Sequence, residues 1–234
     1  MTGVPPRQAE RVSTFFSDFA GTWDTLYGGR RNAFWRLVDR TLRRDIYERY
    51  EETFKRLGAD LSGRTVIDIG CGTGTYSLEA ARRGAGRVVG LDIAPGMVAH
   101  ARARARTLGV DDVCEFVDAE FPDGCPPGVA GAVFDYGVVM GVMDYVADAP
   151  RFLARLRPLV GRCAVLSFPG RHWFREPARR LRYRLLGRCA VYGYDEAAIM
   201  EASLAAGFRR LDIHRIDHSG ICYIVTAHVE SLTP

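Results

Sequence analysis

Lysine is almost missing from this sequence of 234 residues. Lys55 is the only one, and arginine supplies every other basic side chain. Because a charge-driven function would not need to exclude lysine, we interpret this as a bias in composition. The 32 basic and 28 acidic residues leave a formal net charge of +4, which is too balanced to indicate a nucleic-acid partner by itself.

Long apolar runs are missing as well. The longest, such as residues 137–143, are far shorter than the roughly 18 residues that a membrane-spanning helix needs. The N-terminal MTGVPPRQAERVS has no apolar segment of the kind found in secretory signals, so we expect a cytoplasmic protein. A hydrophobic content of 47% and a charged content of 26% are those of a globular protein and exclude a disordered chain.

Six cysteines are present, but they form no C-x-x-C pair and no spacing typical of a metal site. This scatter predicts buried free thiols rather than disulfides, and no bound metal. The sequence also lacks the G-x-S-x-G and H-E-x-x-H motifs, so it carries no signature of a serine hydrolase or a zinc protease.

Hydrophobic periodicity predicts an α/β protein. Residues 1–12 are expected to be irregular, and apolar side chains every three or four residues predict helices over 13–58. Beyond these, strands and helices alternate: we predict strands at 65–69, 87–91, 113–117, 133–139, 162–167, 209–214 and 221–229, and helices at 75–83, 97–108, 150–156 and 195–206. This order is typical of a doubly wound, mostly parallel sheet of seven strands whose last strand is antiparallel. Such sheets bind ligands at the carboxyl ends of their strands, where the strand order reverses.

A glycine-rich loop, Gly70-Cys71-Gly72-Thr73-Gly74, follows the first predicted strand and precedes a helix. Glycine permits a tight turn and a close approach of ligand to backbone, and the helix N-terminus offers free N–H groups. A dinucleotide fingerprint would place glycine where Thr75 stands. Asp68, near the strand end, would repel a pyrophosphate and attract an ammonium group. A ligand with a cation, a carboxylate and a ribose fits better, and S-adenosylmethionine is such a ligand.

Two further acids follow the next two strands. Asp92 lies 22 residues after Gly70, where an acid can accept hydrogen bonds from ribose hydroxyls. Asp118 closes the third strand and could accept from the adenine amino group. A glycine loop alone is equally well explained as a structural turn, but three acids in register favour a ligand site.

These residues resemble the Rossmann-like S-adenosylmethionine-dependent methyltransferases over roughly residues 63–168, which carry the same glycine motif, the same acid after the second strand and the same Asp-Ala pair after the third. The resemblance implies that Asp68, Gly70 and Gly72 surround the methionine portion of the cofactor and that Asp92 holds the ribose. It further assigns cofactor contacts to Cys71, Gly74, Ile93, Met97, Asp118, Ala119, Glu120, Val139 and Met140.

The resemblance also divides the chain. Residues 1–58 would form an N-terminal helical lid with Trp23 and Tyr27 against the cofactor, and 59–234 the methyltransferase domain, with a cap inserted at 169–193 that faces the acceptor. In outline, the C-terminal half is similar to magnesium-protoporphyrin O-methyltransferases. The apolar helix faces at 34–57 are explained equally well by a homodimer and by packing onto the sheet.

We therefore expect methyl transfer to oxygen or nitrogen of a small molecule, which could belong to secondary metabolism. A hydroxyl acceptor would need a base, for which Asp144, Tyr145 and His172 are candidates; many family members have Glu-His at the position of Asp144-Tyr145. The arginines of 171–188 either form a solvated helix face or pair with an anionic acceptor. The alternatives to methyl transfer are cyclisation or decarboxylation in the same pocket, a nucleotide-dependent oxidoreductase and a non-catalytic binding protein. A further alternative for the arginines is that they bind a nucleic acid or a membrane surface.

Overall fold

The structure is a computed structural model that describes residues 9–14, 16, 44–171, 190–217 and 221–230. Five helices of this part are α1 (Arg44–Leu57), α2 (Thr75–Arg82), α3 (Pro95–Leu108), α4 (Ala149–Leu156) and α5 (Glu196–Ala205). The strands are β1 (Thr65–Ile69), β2 (Arg87–Asp92), β3 (Cys114–Asp118), β4 (Phe134–Val139), β5 (Val160–Pro169), β6 (Arg210–Asp217) and β7 (Ile221–His228).

The seven strands form one sheet in the order β3-β2-β1-β4-β5-β7-β6. Strands β1 to β5 pair in parallel, and β7 pairs antiparallel to both β5 and β6. This confirms the predicted fold class. The order reverses between β1 and β4, because β2 and β3 extend the sheet on one side of β1 and β4 begins the other side. The carboxyl ends of β1 and β4 therefore mark the place where such a sheet binds its ligand.

Each face of the sheet is covered by helices, because alternate strand residues point to opposite faces. Ile67 and Ile69 of β1 belong to the core beneath α4 and α5. Val66 belongs to the core beneath α1, α2 and α3. Asp68 has the parity of Val66, so its carboxyl group points toward the face of α2 rather than into the apolar core of the other face.

The region before β1 departs in part from expectation. The prediction of an irregular segment is wrong for residues 9–12, which are helical. Tertiary contacts explain this, since Ala9 is buried and the Ser13 hydroxyl donates to the Ile93 carbonyl at 2.8 Å. Helix α1 buries Phe54 and Leu57 in the sheet core, which accounts for part of the periodic face at 34–57 by packing onto the sheet.

Strand β5 begins two residues earlier and ends two residues later than predicted. It pairs with β7 from Cys163 opposite His228 to Pro169 opposite Cys222, so the ladder extends past the apolar run. The predicted cap at 169–193 enters and leaves next to a bridge between Gly170 and Tyr194, and its residues 172–189 lie outside the described part. The described cysteines are free thiols; Cys71, Cys114 and Cys163 are buried as predicted, whereas Cys125 and Cys222 are only partly buried. No described helix is long and apolar enough to cross a membrane.

Candidate active site

A cavity of about 940 Å³ opens at the carboxyl ends of β1, β2 and β4. This volume is within the usual range for small-molecule sites, about 300–1,000 Å³. Its walls come from the glycine loop, the residues after β2, β3 and β4, the helical segment 9–16 and helices α1 and α2. The cavity therefore lies at the point where the strand order reverses.

The glycine loop turns through three left-handed residues. The φ angles are +73° at Gly70, +53° at Gly72 and +80° at Gly74, a region that side chains with a Cβ rarely adopt. A Cβ on Gly70 would lie 2.1 Å from a methyl of Val142, whereas a Cβ on Gly72 would meet no atom within 4 Å. Gly70 is thus required by packing as well as by backbone, and Gly72 leaves space on the loop surface.

Asp92 ends β2 on the wall of the cavity. One of its carboxylate oxygens accepts from the Gly72 N–H at 2.8 Å and the other from the Ala94 N–H at 2.9 Å. Burial raises the pKa of Asp92, and these two backbone donors oppose the rise. The carboxylate is therefore held in one orientation, and each oxygen keeps lone pairs for a hydroxyl on the cavity side.

Asp68 takes a different position from the one we expected. It does not line the cavity and is 1% exposed, beneath the glycine loop. The Ser77 hydroxyl of α2 donates to its Oδ2 at 2.6 Å, while Oδ1 has no hydrogen-bond partner among the described residues. Burial, aided by the charge of Asp92, raises the pKa of Asp68 to about 7. This carboxyl group therefore connects the end of β1 to α2 through Ser77.

The wall next to Asp92 is apolar. Ile93 and Met97 follow β2, and Ala119 follows β3. The Ala119 N–H donates to the Asp92 carbonyl at 2.9 Å. Glu120 lies at the same end, with its pKa raised by burial and by the charge of Asp123. A flat heterocycle would fit against such apolar side chains with polar groups at its edge.

The segment after β4 forms the opposite wall. The Gly141 N–H donates to the Ser167 hydroxyl of β5 at 2.8 Å, which fixes the exit of the strand. A 3₁₀ turn at Met143–Tyr145 follows and brings Asp144 and Tyr145 to the cavity. The carbonyl of Asp144 accepts from the Tyr192 N–H at 2.9 Å. This hydrogen bond holds the C-terminal end of the predicted cap against the turn.

The structure brings most of the predicted site residues to the one cavity: Gly70, Cys71, Gly72, Asp92, Ile93, Met97, Ala119, Glu120, Met140, Asp144 and Tyr145. It does not bring four others to the cavity wall, namely Asp68, Gly74, Asp118 and Val139. Trp23, Tyr27 and His172 lie outside the described residues. Burial and the charges of Asp68 and Asp92 raise the pKa of the Cys71 thiol well above its usual value, which disfavours the thiolate form.

Some residues of the site were not found from the sequence. Arg104 of α3, which lines the cavity, donates to both the carbonyl and the hydroxyl of Thr73, at 2.7 and 2.9 Å, and so holds the glycine loop. Arg49 and Tyr50 of α1 and Tyr76 of α2 line the cavity. No motif signals these side chains, because the sequence pattern places them on ordinary amphipathic helices.

Comparisons with known proteins agree with this geometry. Residues 66–161 match the family model described as a methyltransferase domain. The crystal structure of magnesium protoporphyrin IX methyltransferase from Synechocystis PCC 6803 with bound SAH superimposes with a TM-score of 0.74 at 22% identity, covering 95% of this chain and 100% of that one. The [4+2]-cyclase SpnF gives 0.68 at 15% identity, covering 97% and 98%.

Among curated proteins, the ribosomal protein L11 methyltransferase of Edwardsiella ictaluri is 32% identical over 110 residues, which are 47% of this chain and 36% of that protein. The chain thus spans little more than a third of that relative. Its residues 66–161 match a methyltransferase domain, and its sheet has the Rossmann-like fold of the S-adenosylmethionine-dependent methyltransferases. The cofactor of that class is S-adenosylmethionine.

The residues of the cavity fit this cofactor. Asp92 presents oriented oxygens for two ribose hydroxyls, and Ile93, Met97 and Ala119 offer an apolar wall for adenine. The surface at Gly72 is open for the methionine portion that extends from the ribose. Acids in the cavity lining, among them Asp92, Glu120 and Asp144, favour a ligand with a positive charge.

Proposed function

We propose that the protein transfers the methyl group of S-adenosylmethionine to an oxygen or nitrogen of a small-molecule acceptor. The observation that carries this proposal is the cavity at the strand reversal, where Asp92 is fixed by the glycine loop on one side and by Ala94 on the other. The cofactor supplies a methyl group on a sulfonium, which a nucleophile displaces in line. The protein then has to align the acceptor and keep water away.

Alignment is supported from two sides. The acids and apolar residues after β2 and β3 would hold the adenosine, and the glycine loop the methionine portion. The turn at 143–145 would face the acceptor, and the edge of the Phe16 ring packs on Tyr145 with centroids 5.5 Å apart. Correct positioning alone can lower a barrier by about 7–11 kcal/mol. We retain residues 1–58 as a lid, since Ala9, Val12 and Phe16 line the cavity, and 59–234 as the methyltransferase domain.

For a hydroxyl acceptor we propose that Asp144 removes the proton. Its turn is fixed by the bond from Tyr192, and its side chain lines the cavity. Replacing Asp144 by Asn should lower turnover about 100-fold and leave the affinity for S-adenosylhomocysteine unchanged in calorimetry. Tyr145→Phe is the matched control for a hydroxyl on the same turn. Unchanged turnover of Asp144→Asn would remove the base from this mechanism.

The acceptor class is proposed from the cavity and not from the relatives. The L11 methyltransferases match over a segment that is about a third of their length, so their ribosomal substrate is not transferred to this chain. A cavity lined by apolar and aromatic side chains such as Val12, Phe16, Tyr145 and Val146 favours a small molecule as acceptor. An anionic acceptor, a biosynthetic role, a cytoplasmic location and the absence of nucleic acid as partner stay predictions.

Label transfer tests the proposal. The purified protein is incubated with methyl-labelled S-adenosylmethionine and a cell extract, which is then separated into small-molecule and macromolecular fractions. We expect binding of S-adenosylhomocysteine, no binding of NAD, and label among the small molecules. Label in the protein fraction would indicate a macromolecular acceptor, and binding without any label would favour a reaction other than methyl transfer.

A further inference from the structure

The two edges of the sheet differ in how they are closed. At one edge lies β3, whose Phe116 carbonyl accepts two hydrogen bonds from the Arg102 guanidinium of α3, at 3.1 and 2.6 Å. The Cys114 N–H of the same strand donates to the Val110 carbonyl at 2.9 Å. Because these backbone groups are already bonded, the β3 edge is blocked against a further strand, as is typical of edge strands.

At the other edge lies β6, which is eight residues long and pairs only with β7 among the described residues. It contains no lysine and no proline, and its register with β7 is continuous from Arg210 to Asp217, without a bulge. Lysine, proline and bulges are common means of keeping an edge strand from pairing. Their absence leaves the charges of β6 to decide which strand could pair with it.

Basic and acidic side chains alternate along β6. Arg210 and Asp212 are 3.2 Å apart, and Arg215 and Asp217 are 2.8 Å apart. Both aspartate side chains are about half exposed, and a carboxylate has lone pairs for several donors. An antiparallel strand with the same alternation could pair its charges with these, and a second copy of β6 is such a strand.

Symmetry restricts how two copies of β6 can pair. Directly opposite residues of antiparallel strands point to the same face of the sheet, so a two-fold axis has to pass between a residue and its own copy. With Ile213 at the axis, no charged residue lies opposite one of its own sign. The opposed pairs are then Asp212 with His214, Leu211 with Arg215, Arg210 with Ile216, and Arg209 with Asp217.

Other positions of the axis are worse. An axis at Asp212 would place that carboxylate opposite its own copy and Arg209 opposite Arg215. An axis at His214 would place the two imidazoles opposite each other, and axes closer to the strand ends pair fewer residues. Like charges directly opposite each other destabilise a sheet, so the sequence of β6 favours the axis at Ile213.

Helix α5 covers one face of this edge and is itself incompletely covered. Its Ile199 belongs to the core against which Leu211 and Ile213 of β6 pack. On the same helix, Met200 and Leu204 are 46% and 49% exposed. A two-fold axis at Ile213 places both copies of α5 on the same face of the joined sheet, so these apolar side chains would add to the contact.

We propose that two copies of the protein associate through their β6 edges, antiparallel and with Ile213 on the two-fold axis, so that their sheets become one continuous sheet. The interface lies at the edge of the sheet, whereas the cavity opens at the carboxyl ends of β1, β2 and β4. The association is therefore independent of the proposed function.

Cysteine cross-linking tests the register. Directly opposite residues of antiparallel strands have Cα atoms about 4.5–5.5 Å apart, which is within disulfide range. Full-length Ile213→Cys should form a covalent dimer on a non-reducing gel after oxidation with copper phenanthroline. Leu211→Cys is the matched control, because its two copies would be about 13 Å apart along the strand, and it should form no more covalent dimer than the wild type with its native cysteines.

Sedimentation equilibrium of the full chain measures the strength of the association. The wild type should form dimers whose fraction rises with concentration. Arg209→Glu places a carboxylate opposite Asp217 twice in each dimer and should raise the dissociation constant about tenfold. Combining it with Asp217→Arg restores opposite charges and should recover most of the affinity.

A wild type that stays monomeric at all concentrations would overturn the proposal, as would a dimer that Arg209→Glu does not weaken. Equal cross-linking through positions 211 and 213, or none through 213, would reject the register and with it the interface. These results leave the proposed function untouched, because both experiments are carried out without cofactor or acceptor.

Discussion

The ends of two neighbouring strands, β1 and β2, each carry a buried aspartate, yet the two ends differ. At the end of β2, both oxygens of Asp92 accept backbone N–H bonds and the group faces the cavity. Near the end of β1, Asp68 is sealed under the glycine loop with Ser77 as its hydrogen-bond donor. The first carboxyl group faces the cavity, where we propose that it binds the ribose, and the second is buried and accepts from the following helix.

The difference follows from strand parity and from what covers each end. The residue facing α2 from β1 is covered by that helix, whose Ser77 donates to it, whereas Asp92 is the last residue of β2 and lines the cavity. Two acids that look alike in the motif therefore have different roles. A small ligand is held in one pose when the backbone beneath it is rigid and the side chains that bind it are accessible.

The largest effect on stability is expected when a methyl group is added at Gly70, just after the end of β1. Gly70→Ala would put a Cβ 2.1 Å from Val142 at a φ of +73°, and should lower the free energy of unfolding by about 2–5 kcal/mol, from the left-handed backbone and the overpacking. Denaturant unfolding measures this. Gly72→Ala, whose Cβ meets no atom, should lose only the backbone part, about 1–2 kcal/mol.

A second substitution separates the two causes. Val142→Ala combined with Gly70→Ala should recover the part of the loss that comes from overpacking. If Gly70→Ala and Gly72→Ala were equally destabilising, the end of β1 would not be closed by Val142, and the contrast between the two positions would disappear.

Next in size is a pH effect of Asp68. Its pKa is raised from the usual 3.8 to about 7. Below pH 4 the folded and unfolded forms both hold the proton; between pH 4 and 7 the unfolded form loses it first, so stability falls as pH rises. Since each pKa unit corresponds to about 1.4 kcal/mol, the loss across this window is on the order of a few kcal/mol.

Asp68→Asn removes this titration. The difference in unfolding free energy between Asp68→Asn and the wild type should therefore grow in favour of the variant from pH 4 to 7 and stay constant above it. Urea unfolding at a series of pH values measures the difference, and Ser77→Ala serves as a control that keeps the carboxyl group. Parallel curves would mean that Asp68 is ionised throughout, contrary to its sealed position.

The sequence predicted the fold and the cavity-lining part of the site because both depend on local patterns. Alternating strands and helices, three glycines and an acid after β2 are readable in short windows. The position of Asp68 was not readable, because it depends on α2 closing over β1. Nor were Ser167, Arg104 and Arg49, since their roles come from contacts between elements far apart in the chain. Residues 9–12 were misjudged for the same reason.

The smallest effect, a change in ligand affinity, is expected at Asp92, at the end of β2. Asp92→Ala removes the acceptor for ribose hydroxyls and for the Gly72 and Ala94 N–H groups, and unpaired polar groups of this kind cost about 1–3 kcal/mol. Affinity for S-adenosylhomocysteine should fall accordingly, by about tenfold or more in calorimetry. Asp118→Ala removes an exposed acid of the adjacent strand that does not line the cavity, and should change affinity little. If Asp92→Ala and Asp118→Ala weaken binding equally, the end of β3 also contributes to the ligand site, and the ribose cannot be assigned to Asp92 alone.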